Sequence, residues 1–229
     1  MIGLLLLVSG VLWKISKSRS FQFFGEIIQR VETDQRIVAL TFDDGPWNRR
    51  YTNEVIAILK EKDVKATFFV NGVGVEKLPD DARRFVEEGH TLGNHAYSHD
   101  PLVFKSLSTV REQIERTNLL IRDTGFEGEI FFRPPYGKKL FILPWYLSNA
   151  GITTVTWDIE PESIVEIRDD SQLIASHVID NIRPGSIILL HVLGSKNGES
   201  RESIAPIIDK LRGRGYRFVL LPELLINDA

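Results

Sequence analysis

The sequence predicts an α/β protein built on a mostly parallel sheet, and three observations carry that prediction. Short apolar, β-rich segments alternate with helical stretches seven times along 229 residues, a rhythm that parallel strands with crossover helices produce. Asp43, Asp44, His95, Arg133, Asp158 and His191 each fall just past the C-terminal end of a predicted strand, where α/β barrels assemble their sites. Composition is that of one globular enzyme domain, with 43% hydrophobic and 26% charged residues. The alternation alone is satisfied by an open doubly wound sheet or by a barrel.

Each element has its own signal. Residues 37–42 form an apolar run that ends in Asp-Asp-Gly-Pro, a strand entering a turn. Val55, Ile56, Ile58 and Leu59 set a helix over 53–60, and the strand 66–70 stops at Asn71-Gly72. A helix over 79–88, a brief strand over 91–94 and a helix over 110–123 follow. The second half repeats the rhythm. Strands at 130–132, 151–157, 186–191 and 216–220 are separated by helices at 143–150, 171–182 and 200–212, and 222–226 closes the chain. Residues 14–35 are polar and mixed, and read as a connector with a short helix over 23–31.

The first twenty residues stand apart. Residues 2–13 are apolar except for Ser9, and Lys14, Lys17 and Arg19 follow. Twelve helical residues span roughly 18 Å, short of a hydrocarbon core of ~30 Å. An uncleaved membrane anchor, an imperfect signal peptide and an apolar helix packed on the domain are the three readings. The basic residues after the run favour keeping that side cytoplasmic. The chain therefore divides into an apolar segment (1–20), a connector (21–35) and the α/β domain (36–229), which is expected to carry the site.

Charge and cysteine content exclude several functions. The net charge of −3 leaves no overall electrostatic footprint for nucleic acid. The absence of cysteine removes disulfides, thiolate metal sites and cysteine nucleophiles, so any metal must sit on His and carboxylate.

Four motifs carry chemistry. Asp43 and Asp44 are adjacent in Thr41-Phe42-Asp43-Asp44-Gly45-Pro46. Two desolvated, ionised neighbours repel, and a bound cation removes that penalty. On an extended segment they point to opposite faces, so one can ligate a metal while the other handles a proton. The Asp-Gly and Gly-Pro pairs are also ordinary turn signals. His95 and His99 stand four apart in HAYSH (95–99). On one helical turn both could reach a single ion, the spacing of HExxH zinc hydrolases without their Glu. Asp44 completes a two-His, one-carboxylate set with an open position for water. Arg133 opens RPPYG (133–137), where two prolines stiffen the loop and a guanidinium can grip a carboxylate. His191 ends the apolar run Ile187-Ile188-Leu189-Leu190, and is either a satisfied core histidine or a general acid near neutral pH. Asp158, Glu160 and Glu162 are all candidates for a carboxylate that keeps it charged. His90, ahead of a strand, and His177, within a helix, read as structural or exposed.

Together, TFDDGP (41–46), HAYSH (95–99), RPPYG (133–137) and LLH (189–191) resemble the signatures of the polysaccharide deacetylases, the NodB-homology group of carbohydrate esterase family four. They occur in the family's order across residues 37–221. The resemblance implies a distorted (β/α)7 barrel, TIM-barrel-like, that removes acetyl groups from the N-acetylated sugars of a chitin-like or peptidoglycan glycan. It implies a divalent metal, zinc with cobalt as the alternative, on Asp44, His95 and His99. Asp43 would be the general base toward water, His191 the general acid, and Arg133 the group orienting Asp43. The backbone N–H of Tyr136 would help hold the oxyanion, and Leu189 and Trp157 would line the substrate pocket. One stretch departs from the family. In Trp157-Asp158-Ile159-Glu160-Pro161-Glu162-Ser163, Glu160 takes the place of the Asp that would tune His191, with Asp158 competing, and a second Trp is missing. An O-acetyl esterase on a xylan-type polymer would use the same residues. A glycan-binding barrel without turnover is the reading from another class. A cell-envelope location, anchored by residues 1–20, follows from such a substrate, with a cytoplasmic location as the alternative.

Overall fold

The computed structural model describes residues 2–226. Helix α1 (Ile2–Ser16) leads, followed by β1 (Ile27–Ile28) and the longest strand, β2 (Ile37–Asp43). Next come α2 (Arg49–Glu61), β3 (Thr67–Val70), α3 (Gly72–Lys77), α4 (Pro79–Glu87) and β4 (Thr91–Asn94). The second half runs through α5 (Leu107–Asp123), α6 (Ile142–Asn149), β5 (Thr154–Val155), α7 (Ser171–Asn181), β6 (Ile187–His191), α8 (Gly198–Gly213), β7 (Arg217–Val219) and α9 (Leu221–Ile226). Helix starts are set by short polar side chains that accept the free N–H groups of the first turn: Asn48 for α2, Ser106 for α5 and Asp170 for α7.

Among the described residues every pairing between these strands is parallel, and one isolated bridge, Arg30 to Ser186, is antiparallel. β2 lies at the centre, with β6 on one side. On its other side β7 pairs along Ile37–Ala39 and β3 along Thr41–Asp43. β3 pairs onward to β4, and β1 pairs with β5. Single bridges complete the circuit: Asn94 to Phe132, Phe132 to Thr154, and Ile159 to Ile188. The result is a distorted (β/α)7 barrel, closed by isolated contacts where regular strands would otherwise run.

Strand parity sorts the core into two layers. Ile37, Ala39, Phe69, Val155, Ile187, Leu189 and Val219 pack together inside the barrel. Val38, Leu40, Phe42, Phe68, Val70, Ile188 and Leu190 face outward, under Val55, Leu59, Ile204 and Ile207 of the helices. Because side chains alternate along a strand, Thr41 and Asp43 share the inward parity of Ile37 and Ala39. His191 shares that of Ile187 and Leu189. The fold thus delivers a carboxylate and an imidazole to the same mouth of the barrel, at the C-terminal strand ends.

Four local expectations are corrected. Residues 23–31 form no helix: Gly25 adopts a left-handed φ of 69°, and Gln22 Nε2 donates to the Glu26 carbonyl at 2.7 Å, which frees Ile27 and Ile28 to pair with β5. The strand over 130–132 reduces to the bridge at Phe132, and that over 151–157 to Thr154–Val155. Helix α3 was not foreseen, because its two glycines carry little helical propensity. Gly74 is nonetheless required there, since a Cβ would sit 2.8 Å from the Gly45 carbonyl. At the N-terminus, no helix among the described residues is long and apolar enough to cross a membrane. Leu7, Val8, Val11 and Trp13 of α1 are exposed, whereas Ser16 is buried and its carbonyl accepts from Lys139 N at 2.9 Å.

Candidate active site

Asp43 ends β2 inside the barrel and is buried. Its Oδ1 accepts from Arg133 Nη1 at 2.7 Å, and its Oδ2 lies 3.5 Å from His95 Nε2. Arg133 is fully buried and fixed on every side. It donates to Thr41 Oγ1 at 2.8 Å, to the Thr156 carbonyl at 2.9 Å and to the Val155 carbonyl at 3.3 Å. Its guanidinium stands 3.9 Å from the Phe69 ring centroid and 5.5 Å from that of Trp157. Burial pushes the Asp43 carboxyl upward, but the charges of Arg133, His95 and His191 outweigh it and hold its pKa below the usual value. Asp43 is therefore an ionised, oriented carboxylate with one oxygen committed and one facing the cluster.

Asp44, His95 and His99 bring one ligand atom each to within 4.8 Å of one another. The expected helical turn is absent from HAYSH. Ala96 and His99 take left-handed φ values of 62° and 64°, so a tight loop brings the rings to a centroid separation of 4.9 Å. Asn71 staples this loop to the TFDDGP turn: its side chain accepts from Gly45 N at 3.1 Å and donates to the His95 carbonyl at 3.1 Å. Asn94 accepts from Ala96 N at 2.8 Å and fixes the loop's start. Burial lowers the pKa of His95 and of His99 despite their acidic neighbours, which favours the neutral imidazole that can ligate an ion. His95 Nδ1 lies 2.7 Å from the Arg133 carbonyl. That contact fixes the Nδ1–H tautomer and leaves the Nε2 lone pair free for an ion.

The donor set fits a divalent cation on a further observation. Asp44 Oδ1 is buried and has no hydrogen-bond partner, and burial raises the pKa of its carboxyl. A cation at this position would satisfy the orphaned oxygen and favour the ionised carboxylate.

His191 faces Asp43 across the sheet, since the two are register partners in β6 and β2. Its Nδ1 lies 2.5 Å from Glu162 Oε2, and its backbone N–H donates to both Glu162 oxygens at 3.0 and 2.9 Å. Ser200 Oγ donates to Glu162 Oε1. Burial alone would depress this imidazole, but Glu162, then Asp43 and Asp44, raise its pKa to about 9.

The expected partner, Glu160, makes no hydrogen bond to His191. Its Oε2 accepts from Trp157 Nε1 at 2.9 Å and from Arg19 Nη2 at 2.6 Å. The competing Asp158 holds the start of β6, through Ser186 Oγ at 2.8 Å and Ile187 N at 2.9 Å. The physical reason is the single 3₁₀ turn Pro161–Ser163, which carries the chain on and brings Glu162 beneath the histidine. His90 is buried and its Nδ1 accepts from Ala66 N at 3.2 Å, a structural contact.

A cavity of about 500 Å³ opens over these groups, lined also by Leu189, Trp157, Tyr136, Gly137 and Lys138. Tyr136 takes a left-handed φ of 58° and its ring stands 4.7 Å from that of His99. Lys17 and Arg19 line the same cavity, although both precede the expected start of the catalytic domain. The sequence offered one signal for them, a basic run after an apolar one. Nothing marked Asn71, Asn94 or Ser200.

Comparison with known proteins adds four findings. A family model described as polysaccharide deacetylase matches residues 30–155. A peptidoglycan-N-acetylglucosamine deacetylase of Bacillus cereus is 36% identical over 188 residues, covering 82% of this chain and 67% of that protein. A second one from the same organism is 32% identical over 205 residues, covering 88% and 93%. Among solved structures, that of a peptidoglycan N-acetylglucosamine deacetylase superposes with a TM-score of 0.80 at 33% identity, covering 86% of this chain and 91% of that one.

Proposed function

The chain belongs to the polysaccharide deacetylase family, and on that footing we propose that it hydrolyses the acetamide of N-acetylated sugars in a cell-wall glycan of the peptidoglycan type. The observation that carries this reading is the convergence of Asp44, His95 and His99 beside an oriented Asp43 and a protonated His191 at one mouth of the barrel. Zinc is the metal proposed, with cobalt as a functional substitute, because two imidazoles and one carboxylate suit either. Such a cation, when bound, supplies Lewis acidity that acidifies water and polarises the acetyl carbonyl.

The remaining steps belong to the protein's own residues. Asp43, held by Arg133, accepts the proton of the attacking water through its free oxygen. The water oxygen bonds to the acetyl carbon, and the backbone N–H of Tyr136 helps hold the oxyanion that develops. His191 keeps Nδ1–H on Glu162 and donates its Nε2 proton to the departing nitrogen. The carbon–nitrogen bond breaks, releasing acetate and a free amine. Leu189 and Trp157 wall the cavity on the substrate side. Glu162, not Glu160, keeps His191 charged, and Glu160 positions Trp157 and Arg19. A glycan substrate of this kind places the enzyme at the cell envelope, and the exposed Leu7, Val8, Val11 and Trp13 of α1 suit contact with a membrane surface.

Acetate release by the full chain tests the reading, with peptidoglycan, chitooligosaccharides and acetylated xylan offered in parallel. Release from an N-acetylated glycan that chelator abolishes and zinc or cobalt restores is the expected result. Release from acetylated xylan alone would make it an O-acetyl esterase. Binding of all three without release would make it a glycan-binding barrel.

A further inference from the structure

Besides the charged His191, three cations line the catalytic cavity: Lys17, Arg19 and Lys138. Arg19 is neutralised by Glu160 at 2.6 Å and rests 4.9 Å from the Trp157 ring centroid. Lys17 and Lys138 have no carboxylate partner among the described residues. Both stand over the indole of Trp13, at 4.1 and 5.9 Å from its ring centroid, and Lys138 is also 5.2 Å from that of Tyr136. Two ammoniums over one ring lie within about a screening length of each other at ~0.1 M salt. An anion placed between them would relieve their repulsion and be held by both.

The segment that delivers Lys17 and Arg19 is fastened to the barrel. Ser16 O accepts from Lys139 N at 2.9 Å, and Ser18 O from Lys139 Nζ. Arg19 O accepts from Thr156 Oγ1 at 2.6 Å. These backbone anchors keep the cations at the cavity wall. An N-acetyl sugar without substituents carries no charge for them to bind, whereas a sugar bearing a carboxylate does.

We propose that Lys17 and Lys138 form a carboxylate subsite at the catalytic cavity, which favours N-acetyl glycans carrying an anionic substituent near the scissile acetamide, as the lactyl ether of a muramic-type sugar does. The proposal rests on the deacetylase reading above and makes the N-terminal segment part of substrate selection.

The test compares kcat/KM for acetate release by the zinc-loaded full chain from two oligomers of equal length. One is neutral N-acetylglucosamine; the other contains carboxylate-bearing N-acetylmuramic units. The ratio of carboxylated to neutral substrate is expected to exceed one. In the Lys17→Ala/Lys138→Ala double variant it should fall about 10-fold, the scale of two partly exposed ion pairs. The loss should lie in KM, shrink as salt rises, and be restored by Lys17→Arg/Lys138→Arg. A ratio unmoved by the double variant overturns the proposal. So does an unmoved ratio with lost binding to phosphatidylglycerol vesicles, which would assign the lysines to a membrane-facing surface. Calorimetric binding of both oligomers to the same proteins reads the subsite without turnover. If acetate is released from neither, the deacetylase reading fails while the binding ratio still decides the subsite.

Discussion

Glu162 Oε2 lies 2.5 Å from His191 Nδ1, and the same carboxylate takes the histidine's backbone N–H. One acidic side chain thus fixes both the ring and the main chain of the residue proposed to deliver a proton. The imidazolium, with a pKa raised to about 9, is charged throughout the neutral range.

A pH profile reads this pair directly. The general acid works only when protonated, so the wild-type rate should fall as pH rises through about 9. Glu162→Gln removes a main raising influence and leaves the burial that lowers the pKa, so the alkaline limb should move to lower pH. Glu160→Gln should leave the limb in place. The same linkage acts on stability. His191 titrates above its ordinary value of 6.5, so its contribution is fully present below 6.5 and is lost as pH rises through about 9. Unfolding midpoints across that window should show the loss, and Glu162→Gln should flatten it.

Asp43→Asn should keep the metal and lose turnover by about 10²–10⁴-fold, the usual worth of general-base assistance. Metal content and acetate release measured on one sample check it. Equal loss of both would make Asp43 a ligand.

His95→Ala and His99→Ala should each weaken metal binding by more than about 100-fold, beyond the cost of losing a supporting partner. Calorimetric zinc titration measures this. Normal affinity in either variant would remove that histidine from the set.

Arg133→Met should destabilise the fold by about 3–5 kcal/mol, because it leaves the buried Asp43 carboxylate without its partner. Urea unfolding gives the value. Asp43→Asn in the Arg133→Met background should recover part of it, since the uncompensated charge is gone.

Much of this architecture was legible in the sequence. The apolar runs before Asp43 and His191 already placed a carboxylate and an imidazole at the C-terminal ends of strands. The three residues that converge, Asp44, His95 and His99, could be picked out by residue type and spacing. The loop that assembles them could not, because left-handed residues at Ala96 and His99 replace the helical turn that a four-residue spacing suggests. Glu160 and Glu162 are equally acidic in sequence, and only the turn at Pro161–Ser163 decides which reaches His191. The connector misled for a similar reason. Its apolar residues were counted toward a helix, while their partners, Thr154 and Val155, lie far along the chain. Lys17 and Arg19 fell outside the expected catalytic domain because their place at the cavity depends on Lys139 and Thr156.

The central claim is that Asp44, His95 and His99 hold one divalent cation on which glycan deacetylation depends. Zinc titration of the metal-free full chain, with acetate release from N-acetylated glycan followed at each addition, tests it most directly. Activity should rise from background in proportion to zinc and level off at one equivalent. Activity that persists in the metal-free chain, or one equivalent of bound zinc with no release, would contradict it.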